Sequence, residues 1–329
     1  MILVCGEALI DLFVGPAEGT EMPARAVAGG SPFNVAIGLA RLGARSAFFG
    51  GISRDRFGTL LADVLAGEGV DGRYIVRTER LSTLSAVATA PDGQPSYSFH
   101  GEAAADRSLV LADLPAALPD TVRAITFGSY TMAVEPVGST YAALAEREAG
   151  RRVISVDPNV RPNVTPDMAA WHRAAERFFR TATIVKASDE DIRLAFGAGT
   201  SLADAADFWR QRGARLVVIT RGPDGAIAFG GFGTLEIDGR RVAVRDTVGA
   251  GDTFHAALLA RLEATGRLDP TAIATLDRAA AGDLLAYARD AASITITRRG
   301  ADLPRAADIE ALRRDDASPG IPDRSARTA

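Results

Sequence analysis

The chain is poor in the residues from which several common kinds of site are built. Cysteine occurs once, as Cys5, which excludes an intrachain disulfide and a multi-cysteine metal site. The only histidines, His100, His172 and His255, are far apart in sequence, which argues against a histidine-rich metal centre. The single lysine, Lys186, does not follow a glycine, so the chain lacks the Gly-Lys-Ser/Thr phosphate loop.

Long apolar runs and charge of one sign are also missing. No run of about 18 apolar residues occurs, which argues against a membrane-spanning helix. Glu7 and Asp11 interrupt the apolar N-terminus and no basic residue precedes it, as expected for a first core strand rather than a signal peptide. The net charge is −4 and no basic face is evident, so nucleic acid is not an expected partner. The sequence therefore predicts a cytoplasmic protein.

Alternating strand and helix patterns fill the chain from residue 124 onward. Strands predicted at 124–127, 153–156, 183–185 and 216–220 are separated by helices, which indicates right-handed crossovers and a mainly parallel sheet. Residues 2–14 read as one strand. The C-terminal part reads as strands at 241–244 and 293–297, and as helices at 250–264, 271–291 and 306–312.

A hairpin pattern interrupts this alternation. Residues 83–90 and 95–99 flank the turn Pro91-Asp92-Gly93, and no helix follows them. We interpret the hairpin as a flap over a site. The chain is thus predicted to form one domain over residues 1–312, with lid segments at about 12–31 and 82–106. Residues 313–329 are polar and are predicted to form a flexible tail.

Residues 246–254, Asp-Thr-Val-Gly-Ala-Gly-Asp-Thr-Phe, join a strand-like run to a strongly helical one. The first amides of a helix have no partner within the helix, and the helix dipole places positive charge there. A Gly-rich turn at such a point is a site for an anion, most often phosphate. Asp252 lies in the same first turn. An ordinary strand-to-helix turn with Asp252 as a helix-start residue explains the turn equally well.

Several predicted strands end in polar residues. They are Asp11, Asp157, Lys186, Thr220 and Asp246. Ligands bind at the carboxyl ends of strands in open parallel sheets, so these ends predict one site at one edge of the sheet.

Two segments resemble the signatures of the ribokinase-like sugar kinase family. Residues 29–36, Gly-Gly-Ser-Pro-Phe-Asn-Val-Ala, resemble its N-terminal signature, and residues 246–254 resemble its C-terminal one. Residues 298–301, Arg-Arg-Gly-Ala, also fit, and the match runs from Gly6 to about Pro304. The resemblance implies an α/β fold of three layers, doubly wound around a mainly parallel sheet, with a small β lid. It also implies transfer of a phosphoryl group from ATP to a sugar.

The resemblance implies catalytic roles for the turn at 249–252. Asp252 would take the proton from a primary hydroxyl of the sugar, and the amides of Gly249, Ala250 and Gly251 would hold the transferring phosphoryl group. A carboxylate at a helix N-terminus is expected to have a lowered pKa, so Asp252 would orient the hydroxyl and accept its proton late.

Sugar-binding roles are implied for Asp11, Gly29, Gly30, Asn34 and Arg161. Asp11 lies in an apolar run, where a carboxylate without partners is costly, which favours a site over a surface strand. Asn34 could equally be a helix-surface amide, and Arg161 a surface charge before the next helix.

The resemblance also implies a nucleotide site and two ion sites. ATP phosphates would meet Lys186, Ser188, Thr220, Arg221 (through its backbone), Gly222 and Gly225, although Gly225 also suits a strand-ending turn. Ser188 and Asp191 stand where the family often carries Asn and Glu, which leaves the Mg2+-linked residue open between Glu190 and Asp191. A K+ site would use Asp246, Val248, Thr295, Arg298 and Gly300, although Asp246 also suits a turn aspartate.

The sugar motifs look most like those of bacterial fructokinases. They are residues 6–11, 128–130 and 157–162. The alternatives are a 2-keto-3-deoxygluconate kinase, in which Arg161 would pair with the substrate carboxylate, a nucleoside kinase, and a sugar-binding sensor without catalysis. An intact Gly249-Ala250-Gly251-Asp252 argues against the sensor. The family resemblance further implies a homodimer that pairs through the lid.

Overall fold

The computed structural model describes residues 1–89 and 95–317. Its strands are β1 (Ile2–Cys5), β2 (Leu9–Val14), β3 (Ala24–Gly29), β4 (Ser46–Phe49), β5 (Gly51–Ser53), β6 (Val76–Thr78), β7 (Leu84–Thr89), β8 (Pro95–His100), β9 (Ala124–Gly128), β10 (Val153–Asp157), β11 (Ile184–Ser188), β12 (Leu216–Thr220), β13 (Ala226–Gly230) and β14 (Gly233–Ile237). Its α-helices are α1 (Ser31–Arg41), α2 (Arg56–Gly67), α3 (Val137–Glu148), α4 (Met168–Phe179), α5 (Asp189–Phe196), α6 (Leu202–Gln211), α7 (Ala250–Ala264), α8 (Pro270–Ala274), α9 (Arg278–Thr295) and α10 (Ala306–Ala317).

The main sheet has eight strands in the order β14-β13-β12-β11-β10-β9-β1-β4. Strands β4, β1 and β9 to β12 are parallel, and β13 and β14 add an antiparallel edge. The strands are short and apolar on both faces, as is typical of a parallel sheet that helices cover on both sides. The predicted strand–helix alternation and mainly parallel sheet are confirmed.

Two apolar cores, one on each face of this sheet, produce three layers. Alternate residues of β1 enter different cores, Ile2 on one face and Leu3 on the other, as the two-residue period of a strand requires. The first core is closed by α1, α2, α7 and α9, and the second by α3, α4 and α6. The aromatic side chains Trp171 and Trp209 are fully buried in the second core.

A separate four-stranded sheet, in the order β3-β2-β7-β8, contains strands of both predicted lid segments and is called the lid below. Strands β2 and β7 are parallel, and the other two pairs are antiparallel. The pairing of β7 with β8 agrees with the predicted hairpin, whose turn at Pro91-Asp92-Gly93 lies outside the described residues. The proposed division into domain and lid segments stays a prediction.

The N-terminal strand prediction is wrong in its extent. Residues 2–14 form two strands in two different sheets, because the chain turns at Gly6. The φ angle of Gly6 is 157°, and a Cβ there would lie 2.1 Å from Cγ of Pro32, so only glycine fits. This turn carries Asp11 out of the main sheet and into the lid.

Four predictions near the C-terminus are also wrong. Residues 241–244 form no strand, and the predicted helix 271–291 is two helices, with Asp277 capping α9 through the amide of Ala280. The predicted strand 293–297 is wrong because α9 continues to Thr295. The tail prediction is wrong for residues 313–317, which belong to α10, and residues 318–329 lie outside the described residues. Within the described ranges, no helix has the length and apolar character needed to cross a bilayer.

Candidate active site

Helix α7 begins at a glycine that no other residue could replace without strain. Gly249 caps the helix with φ 79°, and a Cβ at this position would lie 2.7 Å from Cβ of Ala301. The hydroxyl of Thr253 donates to the Gly249 carbonyl at 2.8 Å and lies 2.8 Å from the hydroxyl of Thr295, which ties the turn to α9. The helix therefore begins at a fixed point, with its first amides directed away from the helix body.

The three amides predicted to form the anion hole are not equivalent. The amide of Ala250 donates to the carbonyl of Thr247 at 3.2 Å, so it serves the turn itself. The amides of Gly249 and Gly251 have no hydrogen-bond acceptor among residues 1–89 and 95–317. Two of the three predicted donors are thus free for an anion.

Two side chains of α1 hold the carboxylate of Asp252. The Ser31 hydroxyl donates to Oδ1 at 2.6 Å, and the Asn34 amide donates to Oδ2 at 2.8 Å. Asn34 was predicted to bind the sugar, but its amide is directed to Asp252. Ser31 was missed, although it lies within the N-terminal signature. The two family signatures, more than 200 residues apart, thus meet at one carboxylate.

The expected pKa of Asp252 is wrong in direction. Burial raises the pKa, and the hydrogen bonds from Ser31 and Asn34 and the nearby Lys186 ammonium lower it only partly. Burial, and not the helix dipole, is the largest influence on this carboxyl. A raised pKa makes Asp252 a better proton acceptor than a helix-start carboxylate in water.

A buried ion pair lies at the ends of β10 and β11. Nζ of Lys186 is 2.8 Å from Oδ2 of Asp157. Burial is the largest single influence and lowers the pKa of Lys186, but the hydrogen bond to Asp157 and the charges of Asp157, Asp191 and Asp252 together raise it, so the ammonium stays charged. A Cβ on Gly251 would lie 3.2 Å from Nζ, which places this charge beside the Gly-rich turn at the start of α7.

The lid contributes Asp11 to the same site. Asp11 lies opposite Ser85 of β7, which is close enough to lower the pKa of its carboxyl. Burial raises its pKa, the charge of Asp252 raises it further, and Arg161 lowers it. Asp11, Asp252 and Arg161 are therefore within electrostatic reach of one another. Ser85 was missed, because nothing in the sequence shows which residue of β7 faces Asp11.

The lack of a side chain at Gly29 and Gly30 leaves space for the Asp11 carboxylate and for the Glu7 backbone. A Cβ on Gly29 would lie 2.4 Å from Oδ2 of Asp11, so a larger residue would displace this carboxylate. Gly30 has φ 109°, and a Cβ there would lie 2.9 Å from the Glu7 carbonyl oxygen. Arg161 follows β10, is exposed, and donates to the Val160 carbonyl at 3.0 Å.

The predicted nucleotide residues surround the ends of β11 and β12. Thr220 donates to the carbonyl of Ala187 at 3.4 Å, which links the two strands. The amide of Arg221 donates to the Gly225 carbonyl at 2.8 Å, so it is used within its own turn and is not free for phosphate, contrary to prediction. Gly222 and Gly225 have φ 53° and 85°. A Cβ on Gly225 would lie 2.1 Å from the Ile237 carbonyl oxygen, so the turn by itself requires this glycine.

Ser188 and Asp191 form a reciprocal cap at the start of α5. The Ser188 hydroxyl accepts from the Asp191 amide at 3.0 Å, and Oδ2 of Asp191 accepts from the Ser188 amide and hydroxyl. Oδ1 of Asp191 accepts from the Val160 amide at 2.7 Å. Both oxygens are used by the fold, so the prediction of Asp191 as a metal-linked residue is not supported. Glu190 is exposed.

Asp246 joins two loops near the start of α7. Its carboxylate accepts from the amide of Val248 at 3.1 Å and from the amide of Gly300 at 2.7 Å. It is therefore a turn aspartate as well as a link to the segment that carries Thr295, Arg298 and Gly300. In the part of the chain that the structure describes, no group of three or more His, Cys, Asp or Glu side chains could hold a metal ion.

The sequence matches the pfkB family of carbohydrate kinases over residues 1–307. The chain belongs to this family. It is a phosphotransferase, and the predicted ribokinase-like membership and fold are confirmed.

Known fructokinases are similar to this kinase along nearly its whole length. The fructokinase of Rhizobium leguminosarum bv. trifolii is 41% identical over 280 residues, which are 85% of each chain. The Xylella fastidiosa fructokinase with bound ATP has a TM-score of 0.86 at 27% identity, with 96% of this chain and 99% of that one covered. The Vibrio cholerae O395 fructokinase in its fructose, ADP and calcium ion bound form has a TM-score of 0.77 at 28% identity, with 94% and 97% covered.

Proposed function

We propose that this kinase transfers the γ-phosphoryl group of ATP to a primary hydroxyl of fructose. The observation that carries the proposal is the meeting of Asp252, held by Ser31 and Asn34, with Asp11 of the lid and the open amides of Gly249 and Gly251. A carboxylate can accept the proton of a sugar hydroxyl, and a helix N-terminus beside it can bind the phosphoryl group that the hydroxyl attacks. The identity of the sugar follows from the similarity to fructokinases.

In the proposed reaction, Asp252 accepts the proton of the sugar hydroxyl. The hydroxyl oxygen forms a bond to the γ-phosphorus as the bond to the leaving oxygen of ADP breaks. The amides of Gly249 and Gly251 and the ammonium of Lys186 offset the negative charge on the phosphoryl oxygens. Raised pKa and burial suit Asp252 to this role, because the proton acceptor is held in a fixed position away from bulk water.

The sugar would lie between the lid and the start of α1. Asp11 and the Arg161 guanidinium would bind sugar hydroxyls, and Gly29 and Gly30 would allow the sugar to approach the backbone. Because Asp11 and Asp252 are both acidic, a neutral sugar is favoured over a sugar acid such as 2-keto-3-deoxygluconate. The charge of Arg161 already acts on Asp11, which reduces its capacity to compensate for a substrate carboxylate.

ATP would lie along the ends of β11 and β12, with its phosphates directed to α7. Thr220, Gly222 and Gly225 would border the nucleotide. Magnesium would be held mainly by the phosphates and water, since Mg2+ commonly keeps several waters. Glu190 is the remaining candidate carboxylate, because both oxygens of Asp191 are used by the fold. When bound, magnesium neutralises phosphate charge. A K+ ion would bind carbonyl oxygens of the two loops that Asp246 joins, from Val248, Thr295, Arg298 and Gly300.

The test compares two aspartates that occupy the first turn of a helix and accept from a serine hydroxyl. They are Asp252 of α7 and Asp204 of α6, which accepts from Ser201 at 2.7 Å. We expect Asp252→Asn to reduce kcat about 10³-fold with fructose, since general bases contribute on the order of 10²–10⁴. The dissociation constant for fructose should change little. Asp204→Asn should keep full activity.

The assay follows ADP release with Mg-ATP over fructose, 2-keto-3-deoxygluconate, ribose and adenosine. The highest kcat/KM is expected with fructose. An active Asp252→Asn variant would disprove the assigned base. Sugar binding without ADP release from any of these substrates would favour the sensor.

The lid supports a further proposal, that two copies of the chain pair through it. Its outer strands β3 and β8 are edges of a four-stranded sheet, which present unpaired backbone groups to another chain. Ala26 of β3 is exposed. Ala26→Glu is expected to convert a dimer into a monomer in analytical ultracentrifugation, whereas Leu194→Glu on α5 should not. A wild-type monomer at all concentrations would exclude this pairing.

A further inference from the structure

The segment 238–244 joins two parts of the proposed nucleotide site. It follows β14 and leads to the Gly-rich turn at the start of α7. At its first end, its backbone fits closely against the turn 222–225. A Cβ on Gly225 would lie 2.5 Å from the amide nitrogen of Gly239, and one on Gly239 would lie 2.0 Å from the carbonyl oxygen of Pro223. A displacement of the segment would therefore disturb the border of the nucleotide site.

The backbone of segment 238–244 has few constraints of its own. Within residues 1–89 and 95–317, none of its amides or carbonyls takes part in a backbone hydrogen bond. The segment has no regular secondary structure, and four of its seven residues are exposed. Exposed backbone without hydrogen bonds has little local stability, so the conformation of this segment depends on its side chains.

Arg240 is the one side chain that ties the segment to the rest of the described chain by hydrogen bonds. Its guanidinium donates to both carboxylate oxygens of Asp316 in α10, at 2.5 and 2.7 Å. Nη1 also lies 3.8 Å from Oδ1 of Asp290 in α9. Pairing through two parallel bonds fixes direction as well as distance, and a network of charges contributes more than an isolated surface pair.

Asp290 gives Arg240 a fixed point on the body of the protein. The Asp290 carboxylate is 3% exposed, accepts from Arg289 at 2.7 and 3.0 Å, and accepts from Arg313 at 2.9 Å. Its neighbours on α9, Ala288 and Ala291, are buried in the first core. The carboxylate is therefore held by its helix and by two other arginines, whereas the segment reaches it only through Arg240.

We propose that Arg240 is a positioning residue, which uses Asp316 and Asp290 to hold segment 238–244 in the conformation that binds ATP. The inference rests on the proposed function, because it needs a nucleotide beside the turn 222–225. Arg240 acts through the backbone of the segment and not by contact with the nucleotide. Without its ion pairs, ATP must order the segment as it binds, and the cost of that ordering lowers the affinity.

The test compares Arg240→Met with Arg289→Met. Both arginines pair with Asp290 and are 22% and 29% exposed, but Arg289 belongs to α9 and not to the segment. We expect Arg240→Met to raise the KM for Mg-ATP about tenfold, with little change in kcat or in the KM for fructose, because bound nucleotide orders the segment again. Arg289→Met should lower stability to a similar extent and leave the KM for Mg-ATP unchanged.

Trypsin cleavage tests the role of the ion pairs without relying on activity. Arg241 is exposed within the segment, and Arg245 is exposed just beyond it. Cleavage after these two arginines, followed by mass spectrometry, should be several times faster in Arg240→Met than in the wild type or in Arg289→Met. Mg-ADP should slow the cleavage, because it orders the segment.

A second variant removes the partner on α10. The Asp316 side chain is 51% exposed, so Asp316→Asn leaves both cores unchanged. It should raise the KM for Mg-ATP less than Arg240→Met does, because Arg240 keeps Asp290. Asp316→Glu retains the charge and should keep the wild-type value. If Arg240→Met fails to fold, Asp316→Asn decides, and an unchanged KM for Mg-ATP with unchanged cleavage would overturn the inference.

The outcomes separate the two proposals. A wild-type KM for Mg-ATP in Arg240→Met, or an equal rise in Arg289→Met, would overturn the role of Arg240. Cleavage at the wild-type rate in Arg240→Met would overturn it as well. A lack of ADP release by the wild-type protein would contradict the proposed function itself, whereas the cleavage rates report on the ion pairs of Arg240 alone.

Discussion

At the scale of single residues, the Asp252 carboxylate is under opposing influences. The start of α7 and the donors Ser31 and Asn34 favour its charged form, whereas burial and Asp157 favour the neutral form. Burial is the largest influence, so the pKa is raised. Because only the carboxylate can accept a proton, activity is expected to fall as pH decreases through this raised pKa.

Removing the Ser31 hydroxyl tests this balance. Hydrogen bonds to charged groups contribute about 1.5–3 kcal/mol, and one pKa unit corresponds to about 1.4 kcal/mol. Ser31→Ala is therefore expected to move the acid limb of kcat/KM upward by roughly one to two pH units. The matched control is Ser201→Ala, which removes a similar bond to Asp204 on α6. An unshifted limb in Ser31→Ala would show that another group controls it.

At the scale of secondary structure, α7 places the turn and the carboxylate through its N-terminus. The helix lies between two glycines with positive φ, Gly249 at 79° and Gly266 at 68°. Their surroundings differ, because a Cβ on Gly249 would meet Ala301, whereas nothing lies within 4 Å of one on Gly266. Both glycines therefore need a positive φ, but only Gly249 is also packed tightly against another part of the chain.

Alanine at these two positions separates backbone strain from displacement of the turn. Gly266→Ala should cost about 1 kcal/mol in the free energy of unfolding and leave kcat unchanged. Gly249→Ala should cost more and also reduce kcat by about 10²-fold, because the Gly249 and Gly251 amides move with the turn. Urea unfolding and steady-state assays measure both effects. Equal kcat values for the two variants would contradict the assigned anion site.

At the scale of the whole molecule, two buried groups make stability depend on pH in opposite directions. Burial raises the pKa of Glu7 to about 7, and burial with the nearby Lys186 lowers that of His255 to about 3. Between their unfolded and folded values, Glu7 holds a proton only in the folded state, whereas His255 holds one only in the unfolded state. Stability from Glu7 is thus lost as pH rises from about 4.5 to 7, and that from His255 is lost as pH falls from 6.5 to about 3.

Glu7→Gln isolates the first contribution. The shift of Glu7 from 4.5 to about 7 corresponds to about 3 kcal/mol. Relative to the wild type, the variant should therefore gain about that much free energy of unfolding between pH 4.5 and 7.5. The His255 contribution is present in both proteins and cancels in the difference. Parallel stability curves from urea unfolding at each pH would show that Glu7 is not the group responsible.

The sequence by itself determined the class of fold, the family and the position of the Gly-rich turn that is proposed to bind an anion. These follow from local patterns, namely alternating apolar strands and helices, and two signatures that need only neighbouring residues to be read. Local patterns failed where packing overrides them. The run 293–297 has strand composition, but residues 293–295 continue α9, and the run 2–14 is divided between two sheets by the turn at Gly6.

Only the tertiary structure decided which groups surround Asp252 and which protonation state of its carboxyl they favour. Ser31 and Asn34 reach it from more than 200 residues away, and Asp157 meets Lys186 across two adjacent strands. The carboxylate of Asp191 and the amide of Arg221 are also used within the fold, by hydrogen bonds with the Val160 amide and the Gly225 carbonyl that the signatures did not reveal. The physical reason is that burial and long-range contacts, which set a pKa and select hydrogen-bond partners, are properties of the packed chain and not of neighbouring residues.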